Sequence, residues 1–217
     1  MNSSLVQASA EQPLLDELRT HVPPAAWRLL EGSAAMHLAH SGRTLLLHLA
    51  GTWQLLRRWG NTQPICLAGL FHSIYGTNAF QRQSLPENRR PELQHAIGHG
   101  AEQLAWLFGA VDRPRALLEG LQLLRPGALI PQRIPLPARR GWPASHPLTI
   151  TSHQLAALTE IECANLLEQG GSGNALRDLY CAGIDRPLLS AAAMAALRDR
   201  LSQQMRPPAP HAQDSQR

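Results

Sequence analysis

Three histidines, His40, His48 and His72, lie in the stretch HSGRTLLLHLAGTWQLLRRWGNTQPICLAGLFHSIYGTNAF, residues 40 to 80, within an otherwise apolar helical pattern. Neutral imidazole is a good ligand for iron, manganese or zinc. Leu45, Leu49, Thr52, Leu56 and Trp59 recur at helical spacing. At about 100° per residue His48 falls on that same apolar face. His72 lies in the most apolar segment of the chain, where a polar group must find a partner. Two histidines on consecutive helices can meet in the interior. His40 precedes His48 by about 12 Å of helix rise, so the two share an ion only if the chain doubles back at Ser41-Gly42. The alternative for each histidine is a core residue bonded to a carbonyl.

A site built from histidines needs a carboxylate to offset the metal charge. Glu162 is the candidate, because on a helix over 153–168 it projects between Leu155 and Leu158. Glu160 projects more than about 90° away, and Asn165 shares the side of Glu162. The expected metal set is therefore His40, His48, His72 and Glu162 around one divalent ion (Fe, Mn or Zn). The expected catalytic set is Glu162, Arg43 and Tyr75. Arg43, or an arginine of the 82–90 loop, is the candidate anion clamp. The Tyr75 and Thr77 hydroxyls are placed to line the same pocket. The bland readings are a solvated Glu162 and a merely packed Tyr75. His95 and His99 read as an exposed pair interrupted by Gly98, and no organic cofactor motif is present.

Helices must position these groups. Residues 1–12 read as a disordered N-terminus. Pro13 precedes the short helix LLDELRT, and Pro23-Pro24 opens a second, since proline suits a first helical turn. A third helix is expected from about Arg43 to Trp59, closed by Gly60. A fourth, opened by Pro64, is expected to run ICLAGLFHSIY. Further helices follow in PELQHAIG, HGAEQLAWLFGAVD and RALLEGLQLL. Residues 126–148 hold six prolines and suit two short extended pieces, a β-hairpin around 128–150. Ser152 is the expected cap of the helix over 153–168, and Ser190 caps the last helix. The fold class is all-α, with one helical domain over 13–204 and a disordered tail over 205–217.

The totals exclude several classes. The chain has 217 residues, 44% of them apolar, enough for a sizeable core. A net charge of +4 is spread as arginine pairs, without a dense basic helix, which disfavours nucleic acid. Cys66, Cys163 and Cys181 form no C-x-x-C pair, so they read as reduced thiols of a cytoplasmic protein. No secretory leader and no membrane-spanning run is visible, so no membrane partner is expected. The expected partner is a small-molecule substrate.

The phrases HLAGTWQLLRRWG and CLAGLFHSIYGT resemble the metal-dependent HD phosphohydrolase core, especially its guanosine tetraphosphate hydrolase branch. His48 and His72 match the two histidines of that pattern. IGHGAEQLAWLFGAV resembles the helix after that branch's catalytic loop, and TEIECANLLE the helix that supplies its last aspartate. The chain is more similar still to bacterial HD-like domains of unknown function that carry H-S-G-R-T, H-L-x-G-T and F-H-S-x-Y-G-T. These phrases fall here at His40–Thr44, His48–Thr52 and Phe71–Thr77. The resemblance spans roughly residues 25 to 170 and implies an HD-like helical bundle with a metal-dependent activity. The chain departs from the family pattern. Ser73 stands where that family has the aspartate after its second histidine, and the last aspartate is matched only by Glu160 or Glu162 nearby. Two functions follow as expectations: a metal-dependent enzyme, hydrolase or non-haem iron oxygenase in type, or a non-catalytic helical binding or scaffold domain.

Overall fold

Ten α-helices and two short antiparallel hairpins occupy the described residues of the computed structural model. Those residues are 3–33, 39–40, 43–77, 83–124, 129, 131–142, 148–171, 174–184 and 188–205, with backbone alone for 3–10, 39, 40 and 43. In chain order the elements begin with α1 (Ser3–His21), α2 (Pro24–Glu31), the pair β1 (Ala39–His40) and β2 (Arg43–Thr44), α3 (Leu45–Arg58) and α4 (Gln63–Leu70). A 3-10 turn, Glu87–Arg89, then leads into α5 (Arg90–Ile97), α6 (His99–Ala110) and α7 (Arg115–Leu123). The second hairpin is β3 (Ile134–Leu136) with β4 (Leu148–Ile150). Helices α8 (Ser152–Glu168), α9 (Asn174–Ile184) and α10 (Ala191–Gln204) complete the fold. The fold is all-α with minor hairpins.

Local chemistry sets the boundaries that matter for the site. Thr44 caps α3 by accepting the Leu47 amide at 3.4 Å. Thr151, rather than Ser152, caps α8. Its hydroxyl accepts from Gln154 N at 3.2 Å while the Gln154 side chain returns to Thr151 N at 2.9 Å, a reciprocal box. Ser190 caps α10 by accepting the Ala193 amide, as its position predicts.

Helix α8 is the central rod. Its Leu155, Leu158, Ile161, Cys163 and Ala164 are buried, and it packs against α3, α4, α6, α7, α9 and α10. It has no solvent face over residues 157–165. Helices α3 and α4 pack closely at Gly69, where a Cβ would stand 2.2 Å from Leu56 Cδ1. The second hairpin pairs Ile134 with Ile150 and Leu136 with Leu148, burying Ile134 and Leu136 while Pro135 faces out.

Two boundaries differ from expectation. Helix α1 starts at Ser3 and runs through Pro13, where residues 1–12 read as disordered. Pro13 removes one amide donor, but the other amides of the 19-residue helix continue the ladder. Helix α4 ends at Leu70 rather than Tyr75, because the backbone tightens to bonds three residues apart. Ile74 N reaches Phe71 O and Gly76 N reaches Ser73 O, both at 3.0 Å. The tail 206–217 lies outside the described residues. Among the described residues no helix is long and apolar enough to cross a membrane.

Candidate functional site

His48 comes from the middle of α3 and His72 from the turn just after α4. Both are 1% exposed. Their Nε2 atoms stand 3.2 Å apart, with ring centroids at 5.1 Å and planes at 85°. The opposite nitrogens are anchored. His72 Nδ1 lies 2.6 Å from Gly69 O, and a carbonyl only accepts, so Nδ1 carries the proton. His48 Nδ1 meets the carboxylate of Glu168, at the end of α8, whose side chain is 5% exposed. A carboxylate there also draws the proton to Nδ1.

The consequence is electrostatic. With both Nδ1 atoms protonated, the two Nε2 lone pairs face each other. Two lone pairs at 3.2 Å repel unless a cation, a proton or a metal ion, stands between or beside them. Two nitrogens each ~2.1 Å from one ion, at angles of 90° to 110°, lie about 3.0–3.4 Å apart. The observed separation falls inside that range. A ligating histidine whose other N–H is held by a carboxylate or a carbonyl is also the usual arrangement at protein metal sites. Both imidazoles here have it.

One polar cluster packs against this pair through Phe108, and a second is built on Tyr75, three residues after His72. Phe108 of α6 packs edge-on against His72, centroids 5.0 Å apart, and carries the Arg113 guanidinium 3.3 Å above its own centroid. Arg113 donates to Phe108 O at 2.7 Å and forms a buried ion pair with Glu162. Burial pushes the Arg113 guanidinium down from its ordinary value, against the opposing charge of Glu162. Glu162 also accepts from Asn165 Nδ2 at 3.2 Å.

The second cluster surrounds Glu102, which is fully buried. It accepts from Arg90 Nε at 2.7 Å and Nη2 at 3.0 Å, and from Gln94 Nε2 and Tyr75 Oη at 2.8 Å each. Burial alone would raise the Glu102 carboxyl, but these donors outweigh it and hold the group below its ordinary range. Burial, then the Glu102 bond and charge, push the Tyr75 phenol well up.

The expected site residues therefore separate. The structure brings His48 and His72 together. Glu162 is held by Arg113 and Asn165, and the carboxylate on His48 is Glu168. Glu160, the other carboxylate weighed for the site, accepts from Asn61 Nδ2 at 3.2 Å and from the Ser190 amide at the head of α10. Tyr75 is committed to Glu102 in the second cluster. Of the 82–90 loop arginines, Arg90 is engaged with Glu102. The side chains of His40 and Arg43 lie outside the described residues. Their backbones pair antiparallel, His40 opposite Arg43, so the chain does reverse between β1 and β2. Among the described residues no set of three His, Cys, Asp or Glu side chains is arranged to hold a metal ion.

Glu168 was missed because it lies 120 residues from His48, at the end of a helix whose middle has no solvent face. One sign of it was visible. Gly51 interrupts a helical pattern, and such a glycine commonly marks a close approach. A Cβ there would stand 2.5 Å from Glu168 Oε1.

Residues 29–113 match a family model described as a domain of unknown function (DUF6817). The matched span opens in α2 and closes at Arg113, so it contains both imidazoles and Phe108 but not Glu168. Neither a curated protein nor a solved structure matches the chain.

Proposed function

We propose that His48 and His72 supply two ligands to one divalent ion, iron, manganese or zinc, and that the chain is an enzyme acting on a small polar or phosphorylated molecule. The observation that carries the reading is the pair of Nε2 atoms 3.2 Å apart with both Nδ1 atoms held from behind. His40 is the proposed third ligand, and the antiparallel pairing of β1 with β2 supplies the chain reversal that role requires. Glu168 orients His48 and makes its imidazole a stronger donor. A bound ion would supply Lewis acidity and an ionised water for hydrolysis, or open positions for oxygen chemistry. The HD-like resemblance of the segment agrees with either.

Elemental analysis of untagged protein as purified tests the reading. It should find about one transition-metal ion per chain, lost in His72→Ala. Stoichiometric metal in a folded His48→Ala/His72→Ala double variant would reject the site.

A second reading is a non-catalytic helical binding or scaffold domain. Ser73 in place of the family's aspartate favours it. In that case the imidazoles share a proton, neutralised by Glu168, and the same analysis finds no ion in a well-folded chain.

A further inference from the structure

A polar cavity lies between the end of α2 and the turn that opens α5. It encloses about 110 Å³ and is lined by Arg28, Gly32, Ser33, Ser84, Leu85 and Arg89 together with an apolar side chain. Among the described residues its lining thus includes two arginines and two serines, and no carboxylate. Ser84 Oγ is shut off from solvent and has no hydrogen-bond partner among the described residues. The turn cannot easily relieve this, since Ser84 N and Leu85 N are both bonded to Ile74 O, at 2.9 and 3.1 Å. A buried hydroxyl without a partner is a standing loss of stability, and a native structure that keeps one commonly meets it with something bound.

The cations point to the sign of that group. Arg89 grips Glu92 through Nε at 2.8 Å and Nη2 at 2.6 Å, which leaves Nη1. Arg28 makes no side-chain hydrogen bond or ion pair to a described residue. With Arg89 partly neutralised by Glu92, the lining keeps roughly the full charge of Arg28. The volume suits a single oxyanion and excludes a nucleoside.

We propose that this cavity binds an oxyanion of the phosphate type through Arg28, Arg89 and the Ser84 hydroxyl. Arg28 and Arg89 offer cationic donors and Ser84 a hydroxyl proton, while the Ser33 hydroxyl is already given to Leu30 O at 2.8 Å. None of the lining residues belongs to the imidazole pair, so the site stands whether or not a metal binds at His48 and His72. The two are linked along the chain, because Ile74, which holds the Ser84 turn, lies two residues after His72. An anion in the cavity would stiffen that turn.

The test is calorimetric titration of metal-free full-length protein with inorganic phosphate at constant ionic strength, paired with thermal melts. Saturable binding is expected, and Arg28→Gln and Ser84→Ala should each weaken it by about tenfold or more. Without phosphate, Ser84→Ala should melt no lower than the parent, since it removes an unpartnered group. Phosphate should then raise the parent's midpoint more than the variant's. Glycerol phosphate binding at least as tightly as the inorganic ion would assign the cavity to a phosphorylated small molecule. Binding of the inorganic ion alone would assign it to a free anion. No saturable heat up to tens of millimolar, or equal phosphate binding by parent and both variants, overturns the proposal.

Discussion

Gly51 lacks the one atom that would keep Glu168 away from His48. A Cβ at that position would lie 2.5 Å from Glu168 Oε1 and 2.8 Å from its Cγ. Gly51 sits three residues after His48, on the same side of α3. The carboxylate reaches Nδ1 through the space the glycine leaves. Gly51→Ala should therefore displace Glu168 while adding roughly 1 kcal/mol of helix propensity. The expected outcome is a metal affinity lowered about 10–100-fold with little change in melting temperature. Competition with a chelator measures the first and calorimetry the second. Unchanged affinity would show that Glu168 does not act on the ion through His48.

Glu168 itself separates charge from geometry. Glu168→Gln keeps an oxygen that can accept the Nδ1 proton but removes the negative charge. Glu168→Ala removes both. Metal affinity should fall in the order parent, Gln, Ala, and nitrogen NMR should show the His48 Nδ1–H tautomer retained in Gln and mixed in Ala. An Ala variant with the parent's tautomer and affinity would mean that the short contact does not fix the ring.

The sequence carried the imidazole pair because periodicity is strong where one face of a helix is apolar. His48 on the Leu45–Leu49–Leu56 face was legible for that reason. The partner carboxylate was not. The middle of helix α8 is buried all round, so the face argument that favours Glu162 over Glu160 does not separate a ligand from a brace, and it leaves Glu168 out. Glu160 and Glu162 are buried and the Glu168 side chain is 5% exposed, each against a different element: the head of α10 for Glu160, Arg113 for Glu162 and His48 for Glu168. The end of α4 was also illegible, since the one glycine of LAGLFHSIY, Gly69, lies inside the helix where it packs against Leu56. What stops the helix is the tightening at Phe71–Gly76, and His72 Nδ1 takes Gly69 O within it.

The Glu102 cluster, with Arg90 its strongest donor and Tyr75 among the others, sets stability at both ends of the pH scale. The Glu102 carboxyl is depressed in the folded state, so its contribution is complete above the ordinary value near ~4.3 and is lost as pH falls through the folded value. The Tyr75 phenol is raised, so its contribution is complete below the ordinary ~10 and is lost as pH rises through its higher folded value. Tyr75→Phe should cost about 1–2 kcal/mol at neutral pH and leave metal content unchanged. Denaturant titrations from pH 3 to 11 should show Glu102→Gln flattening the acid limb. Metal loss in a stably folded Tyr75→Phe would instead return the phenol to the site.

The thiols should differ sharply in reactivity. Burial raises Cys66 to about 11 and holds Cys163 well above its ordinary value, while Cys181 is exposed. Thiolate is the reacting form. A disulfide reagent at pH 8 should therefore modify Cys181 quickly in the native protein, and the other two only after denaturation. Rapid modification of Cys163 would contradict the packing of α8.

The Arg113–Glu162 pair distinguishes a brace from a ligand. Both side chains are buried, at 7% and 3% exposure, and removing one partner strands a charge in the interior. Glu162→Gln and Arg113→Met should each destabilise by about 3–5 kcal/mol. Pairing Arg113→Met with Glu162→Leu should cost clearly less than the sum, because no charge is then left unpaired. The route to the imidazoles runs through Phe108, which lies under Arg113 and against His72. Metal affinity of the folded fraction should thus change modestly in all three variants. If Glu162 were itself a ligand, Glu162→Gln would lose the ion outright while Arg113→Met kept it. Measuring both variants by chelator competition and denaturant unfolding decides between the two roles.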